Sequence, residues 1–318
     1  MEDQKGLIKV DYQGKLPSAK ETSLLAMVDR FIASQDVSKP SRATYSRQLK
    51  QFTSWLLKTG KVEALNTLQR QDILDYRAHL LGLGKSANTV AGYLTSVRKF
   101  FEWLEAEKIY PNISRGVKGT RKAKGFRKDC LTQGQIREAL ASIDGGSLKG
   151  LRDYALFNLL VRTGIRTIEV VRAQVGDLRQ QGGEAVLWVQ GKGRDTKDDF
   201  VILIDETLRP LREYISTRGN LAETDPLFAS ISDRNSGEGL TTKSIRRIIK
   251  SILRGVNLND KRLSAHSLRH TAISLSIKGG ASLEQAQAMA RHTDPKTTMV
   301  YFHNAARLEN GAERFIHF

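Results

Sequence analysis

Along most of this chain apolar residues recur every three or four positions, and one stretch alone switches to every second position. In TSLLAMVDRFIASQ, Leu24, Leu25, Val28 and Ile32 share one helical face, with Thr22 or Ser23 available as a cap. SRATYSRQLKQFTSWLLKTG aligns Tyr45, Leu49, Phe52 and Leu56 in a second stripe that stops at Gly60. RQDILDYRAHLLGLG predicts a shorter helix ended by glycines. SANTVAGYLTSVRKFFEWLEAEK begins at Ser86 and turns Val90, Leu94, Val97, Phe101 and Leu104 inward. Four helices with little strand signal predict a small all-helical bundle over residues 21–112.

A second pattern starts near Leu131. TQGQIREALASI predicts one helix, and LKGLRDYALFNLLVRTGIRTIEVVRAQVGDL predicts two that break at Gly164. EAVLWVQGKGRDTKDDFVILI carries the switch: Val186, Trp188, Phe200, Ile202 and Ile204 alternate on a β-hairpin around a Gly-Lys-Gly turn. Helical spacing returns in TTKSIRRIIKSILRGV, SLRHTAISLSIKGG and SLEQAQAMARH. The fold class is therefore mainly α, in two domains, the second mixed α/β with a small antiparallel sheet. Residues 1–20 show no sustained period and read as a flexible arm, residues 113–130 as a linker, and residues 302–318 as a tail.

Charge sharpens this picture. Lys and Arg number 51 against 34 Asp and Glu, a formal net charge of +17. Such an excess attracts polyanions and points to nucleic acid as the partner. Its placement agrees. Arg42, Arg47, Lys50, Lys85, Arg98 and Lys99 lie on polar faces of the first bundle, and the linker RGVKGTRKAKGFRKD, with Lys122 and Lys124, holds no acid from Arg115 to Lys128. A flexible basic tether is able to follow a phosphate backbone. In TTKSIRRIIKSILRG, Ile245, Ile248, Ile249 and Ile252 face inward while Lys243, Arg246 and Arg247 lie elsewhere on the helix, as expected either of a solvated basic face or of a helix at a major groove. A lone cysteine, Cys130, excludes an internal disulfide framework. The polar N-terminus is no secretory signal, so a cytoplasmic, DNA-associated address in a bacterium is expected.

The chemistry sits at the ends of these elements. Arg166 follows the helix break, Lys192 marks the hairpin tip, His266 and Arg269 fall in SAHSLRH, and His292 precedes Tyr301 by nine positions. Each alone is an ordinary surface or packing residue. His266, His270 and His292 would suit zinc, but no acid accompanies HSLRH and Arg269 opposes a cation, so no metal is expected. GKG at 191–193 lacks the remaining residues of a phosphate-binding loop, so nucleotide hydrolysis is not expected. A phosphodiester unifies the set. Paired guanidiniums stabilise the charge that grows on its oxygens, a tyrosine hydroxyl attacks if a base takes its proton, and a lysine or histidine protonates the leaving oxygen. No cofactor is required.

At this point the chain resembles the tyrosine recombinases, the phage integrase family, from about residue 20 onward. RTGIRTIEV resembles the family's first-arginine box, VQGKGRDTK its lysine hairpin, HSLRHTAIS its His-x-x-Arg box and ARHTDPKTTMVYFH its last box. The resemblance implies a core-binding bundle of SAM-like type over 21–112 and a catalytic domain over 131–301. By it Arg166 and Arg269 bind the scissile phosphate, Lys192 is the general acid, His266 acts in acid–base transfer, His292 hydrogen-bonds the phosphate, and Tyr301 attacks to give a 3′-phosphotyrosyl intermediate. Glu169 matches an acidic position that orients these groups, with a simple i,i+3 surface pair to Arg166 as the alternative. The implied activity is site-specific DNA recombination without metal or ATP, for a mobile element or for dimer resolution. The implied partners are duplex DNA with inverted-repeat core sites and a homotetramer on two sites, monomeric without DNA, with the tail docking on a neighbour. The short arm resembles the simpler Xer, integron or transposon enzymes more than lambda-type integrases with an arm-binding domain. One departure stands out: the family commonly has LGH where this chain has ARH, so Arg291 replaces a glycine. Two rivals remain open, a type IB topoisomerase and a DNA-binding factor without activity.

Overall fold

The computed structural model describes residues 24–61, 68–120, 130–191, 193–309 and 311–316, and the side chains of 306–309 are not among those described. The first cap candidates Thr22 and Ser23, the linker lysines Lys122 and Lys124, Lys192 and Phe318 lie outside the described residues. The chain divides into two compact units, residues 1–124 and 125–318. Among the described residues no helix is long and apolar enough to cross a membrane.

The first unit holds α1 (Leu24–Ser34), α2 (Lys39–Lys58), α3 (Arg70–Gly82) and α4 (Ala87–Ala106). Pro40 sits in the first turn of α2, where a missing N–H does no harm. Ser86 caps α4 by accepting from the Thr89 N–H, and all five predicted apolar residues of that helix are buried. Its core is aromatic: the rings of Phe31 and Phe100 meet edge-on at 5.7 Å, and those of Phe52 and Tyr76 at 4.9 Å. The inward face of α1 is rotated from the predicted one. Met27 and Phe31 join Leu24 and Val28 inside, while Leu25 is exposed and Ile32 only partly covered. The larger Phe31 ring takes the core position because aromatic partners on α2 and α4 surround it. Arg98, expected on an outer face, is half-buried and donates to the Val117 carbonyl at 2.6 Å, holding the segment after α4 against the bundle.

The second unit is built on α6 (Leu148–Thr163), buried along nearly its whole length. Around it lie α5 (Gln133–Ala141), α7 (Thr167–Arg172), α8 (Asp205–Ser216), α9 (Thr242–Gly255), α10 (Ala265–Lys278), α11 (Leu283–Ala290) and α12 (Pro295–Glu309). The sheet has three antiparallel strands in the order β1 (Leu178–Gln181), β2 (Glu184–Val189) and β3 (Asp199–Ile202). Val186 pairs with Ile202 and Trp188 with Phe200, as the period-two reading requires. The main core cluster takes Ala185, Leu187, Val189 and Val201, while on the other face Val186 is buried, Trp188 and Phe200 are partly covered and Ile202 is 55% exposed. Both faces of this hairpin are apolar, so alternation alone does not say which is covered. Ile204 lies beyond β3, at the N-cap of α8.

Helix α8 escaped the sequence pattern because it contains Pro210. Proline has no N–H to give to the carbonyl four residues back, which is that of Glu206. The side-chain amide of Asn158, on α6, donates to that carbonyl instead. Arg162 in turn fixes Asn158 by donating to its amide oxygen at 2.8 Å.

Candidate active site

Gly164 sets the geometry. It ends α6 in the left-handed region at φ 61°, and a Cβ there would stand 3.4 Å from the Ala272 Cβ. The turn delivers Arg166 to the N-cap of α7. Glu169, one turn on, accepts the Arg166 backbone N–H and its Nη1, each at 2.8 Å. The carboxylate is wholly buried, and its other charged partner is Arg291, whose Nη2 lies 2.7 Å away. Burial pushes the Glu169 carboxyl up, but Arg291 and the Arg166 amide and guanidinium together outweigh it and hold it below the usual range.

Arg291 occupies the C-cap of α11 at φ 52°, ψ 49°, a left-handed conformation that glycine adopts without steric cost. Its Nη1 donates to the Met289 carbonyl at 2.8 Å, and its own carbonyl accepts from Arg166 Nη2 at 3.1 Å. The residue that departs from the family glycine is thus a buried third guanidinium, locked to the same carboxylate as Arg166.

Helix α10 presents His266, Arg269 and His270 on one face, at spacings of three and four. Arg269 is buried and fixed by carbonyls from two other elements: Nη1 donates to Gly164 at 2.5 Å and Nη2 to Ala290. Burial, then the neighbouring charges of Arg166 and Arg291, bring its pKa down to about 9, so it stays a cation at neutral pH. From the turn between α11 and α12, His292 shares a 2.9 Å hydrogen bond through Nδ1 with the buried Thr298 hydroxyl. Burial and then the positive charges of Arg269, Arg166 and Arg291 push His292 down to about 4, so it is neutral at pH 7.

Tyr301 lies inside α12, buried against Ile273 and Ala290. Its ring is flanked by two imidazoles, His270 at 5.6 Å and His292 at 6.3 Å between centroids. Its hydroxyl meets His270 Nδ1 at 2.5 Å. Burial pushes that hydroxyl up to about 12, against the pull of Arg269. His266, exposed, stands edge-on to His270 at 4.6 Å. Beside Arg166 and Arg291 a cleft of about 330 Å³ opens toward the hairpin loop, reaching Gly191 and Arg194. The loop is anchored on one side by Arg172, which donates to the Gly191 carbonyl at 2.9 Å, and on the other by the Lys197–Asp177 ion pair at 2.7 Å.

The fold thus gathers Arg166, Glu169, Arg269, His266, His292 and Tyr301, whereas Lys192 is outside the described residues. Of the expected DNA-facing cations, Arg42, Arg47, Lys50, Lys85, Lys99, Lys243, Arg246 and Arg247 are exposed. Two members of the site were not assigned from sequence. In the sequence His270 reads only as a candidate metal ligand, although its place after Arg269 puts it on the same helical face as His266. Arg291 was visible as a departure, but its partner Glu169 is 122 residues away.

Residues 129–307 match the phage integrase family, and residues 28–108 match the phage integrase N-terminal SAM-like domain. The tyrosine recombinase XerD of Listeria monocytogenes serotype 4b is 29% identical over 281 residues, covering 86% of this chain and 91% of the relative. That of Staphylococcus epidermidis is 28% identical over 271 residues, covering 84% and 88%. Among solved structures, the XerH site-specific recombinase bound to palindromic difH substrate in a post-cleavage complex superposes with a TM-score of 0.74 at 20% identity, over 92% of this chain and 85% of that one. The Tn1549 transposon integrase in complex with transposon right end DNA gives 0.70 at 15% identity, over 92% and 99%. These two likenesses are of fold.

Proposed function

The chain belongs to the phage integrase family of tyrosine recombinases, enzymes of site-specific DNA recombination, and from that premise we propose how its own residues divide the reaction. Tyr301 is the nucleophile: its Oη attacks the scissile phosphorus, forming a 3′-phosphotyrosyl ester and freeing a 5′-hydroxyl. Arg166 and Arg269 hold the non-bridging oxygens, their planes fixed in advance by Glu169 and by the carbonyls of Gly164 and Ala290. Lys192 and His266 supply the proton to the leaving 5′-oxygen. His292, neutral and fixed by Thr298, donates a hydrogen bond to the phosphate. Attack by a partner strand's 5′-hydroxyl on the ester rejoins the DNA, so bond energy is conserved in the ester and neither metal nor ATP is consumed.

The observation that carries this reading is the convergence of α10, the α11–α12 turn and α12 around Tyr301. Arg269 from α10 and His292 from the α11–α12 turn flank Tyr301 of α12, and Arg166 shares Arg291 and Glu169 with that turn.

Residues 21–112 and 131–301 are read as the two halves that take a duplex with inverted-repeat core sites. The exposed cations of α2 and of α9 are read as contacts to it. Residues 302–318 are read as a tail that docks on a neighbouring protomer in a tetramer on two sites. The exposed Phe315 and Ile316 support that reading. Helix α12 itself runs on past residue 301 to Glu309, so nucleophile and tail share one element.

Nicked suicide duplexes tiled across the DNA flanking the gene test the assignment. A protease-sensitive covalent adduct should form with the natural chain and vanish with Tyr301→Phe. An adduct that persists in Tyr301→Phe would refute it.

A further inference from the structure

The hydroxyl of a buried tyrosine needs somewhere to leave its proton. With the hydroxyl pushed up to about 12, roughly one molecule in 10⁵ holds a phenolate at pH 7, so the proton must depart during attack. The guanidiniums around the site carry donors and no acceptor. His292 is a poor acceptor: its Nδ1 is engaged by Thr298, and its surroundings keep protons off it down to about pH 4. Glu169 is enclosed by Arg166 and Arg291.

His270 is the ring that meets the hydroxyl directly. Its Nδ1 is 2.5 Å from the Tyr301 Oη, the two rings stack at 5.6 Å, and its side chain is half-buried. Its ring also meets His266, which is exposed on the preceding turn of the same helix. The arrangement runs from the buried hydroxyl through His270 to an imidazole at the surface.

Granting that Tyr301 is the nucleophile, we propose that His270 takes the Tyr301 proton as the ester forms and returns it as the ester is broken. In the cleavage step the Oη–H bond breaks and the proton passes to His270 Nδ1, its Nε2 already bearing the ring's other hydrogen. The Oη–P bond forms, the P–O5′ bond breaks, and the departing O5′ is protonated by the separate acid assigned to Lys192 and His266. In rejoining, a 5′-hydroxyl returns its proton to the group that had protonated O5′, the O5′–P bond forms, the Oη–P bond breaks, and the Nδ1 proton goes back to the tyrosyl oxygen. No proton or electron is gained or lost over the cycle. His270 thereby acts on the nucleophile, and the histidine three residues before Arg269 acts on the leaving group.

The test uses the full chain, the nicked suicide duplex and single-turnover adduct formation. His270→Asn keeps a polar group near the hydroxyl but takes no proton. It should bind the duplex and unfold thermally like the natural chain while forming adduct about 10²–10⁴-fold more slowly, the usual worth of a general base. A fluorinated tyrosine at position 301, whose hydroxyl ionises more easily, should recover at least about tenfold of that loss. A duplex with sulfur in place of the scissile O5′, a leaving group that needs no acid, should recover none of it. Adduct formation as fast as in the natural chain, or faster, would show His270 to be a restraint on Tyr301 and overturn the proposal. So would rescue by the sulfur substrate, or a loss that the fluorinated tyrosine leaves in place. An adduct that survives Tyr301→Phe would instead sink the nucleophile assignment, a separate result on the same gel.

Discussion

Replacing Arg291 separates what its backbone costs from what its side chain contributes. At φ 52° the residue carries a left-handed strain of about 1–2 kcal/mol that glycine would not feel and alanine would. Its guanidinium is the partner of a carboxylate with no exposure, and removing one member of a buried pair costs about 3–5 kcal/mol. Glu169 keeps two donors from Arg166, so the lower end applies: Arg291→Ala should destabilise the second unit by about 3 kcal/mol. Arg291→Gly should recover about 1 kcal/mol of this, because relief of strain exceeds the extra freedom of glycine in the unfolded chain. A chain of two compact units need not unfold in one step, so a reporter local to the second unit is needed. Trp188 is the tryptophan of the second unit, and Trp55→Phe with Trp103→Phe would leave it as the sole signal in urea titrations. Equal stability of the Ala and Gly variants would refute the strain argument. An Ala variant as stable as the natural chain would refute the role given to the ion pair.

Further expectations can be checked on the same material. Gly164→Ala keeps ordinary contact distances but imposes a left-handed alanine, so a loss of about 1 kcal/mol is expected in urea melts, with slower cleavage because the Gly164 carbonyl fixes Arg269. His292 is depressed on folding from its ordinary 6.5 to about 4, so the unfolded chain binds its proton first. Its contribution is complete above about pH 6.5 and disappears as pH falls toward 4. Glu169, also depressed, adds loss below its ordinary 4.5. His292→Gln should flatten the pH 4–6.5 slope of stability, and an unchanged slope would count against the assignment. Arg246→Ala and Arg247→Ala on α9 should each weaken DNA binding and lower its logarithmic salt slope by about 1 if they meet phosphates; a slope left unchanged argues otherwise. Truncation after Asn304 should impair tetrameric assembly on two sites more than binding to one; equal loss of both would contradict the tail reading.

Much of this was legible from side-chain spacing. The stripe from Val90 to Leu104 and the break at Gly164 report local physics, because one helix face and one left-handed turn suffice to explain them. Arg166, Glu169, His266, Arg269, His292 and Tyr301 come together in the second unit, and Lys192 lies outside the described residues. What the sequence did not disclose is pairing. Arg269 is held by a carbonyl 105 residues away and Arg166 by one 125 residues away, and no periodicity encodes such distances. The buried face of the hairpin was hidden for a related reason: Leu187 and Trp188 are both apolar, and packing against the second unit's core decides that Leu187 is the one fully covered. His270 was in plain view beside Arg269, yet only the position of α12 reveals what its Nδ1 faces.

The amide that Asn158 lends to α8 has a consequence for how this unit opens. A helix whose ladder is interrupted by Pro210 and completed from a neighbour has little reason to persist once that neighbour departs. Deuterium should therefore enter the central amides of α8 only when α6 releases it, at rates tracking the opening of the whole unit, not the fraying of a surface helix.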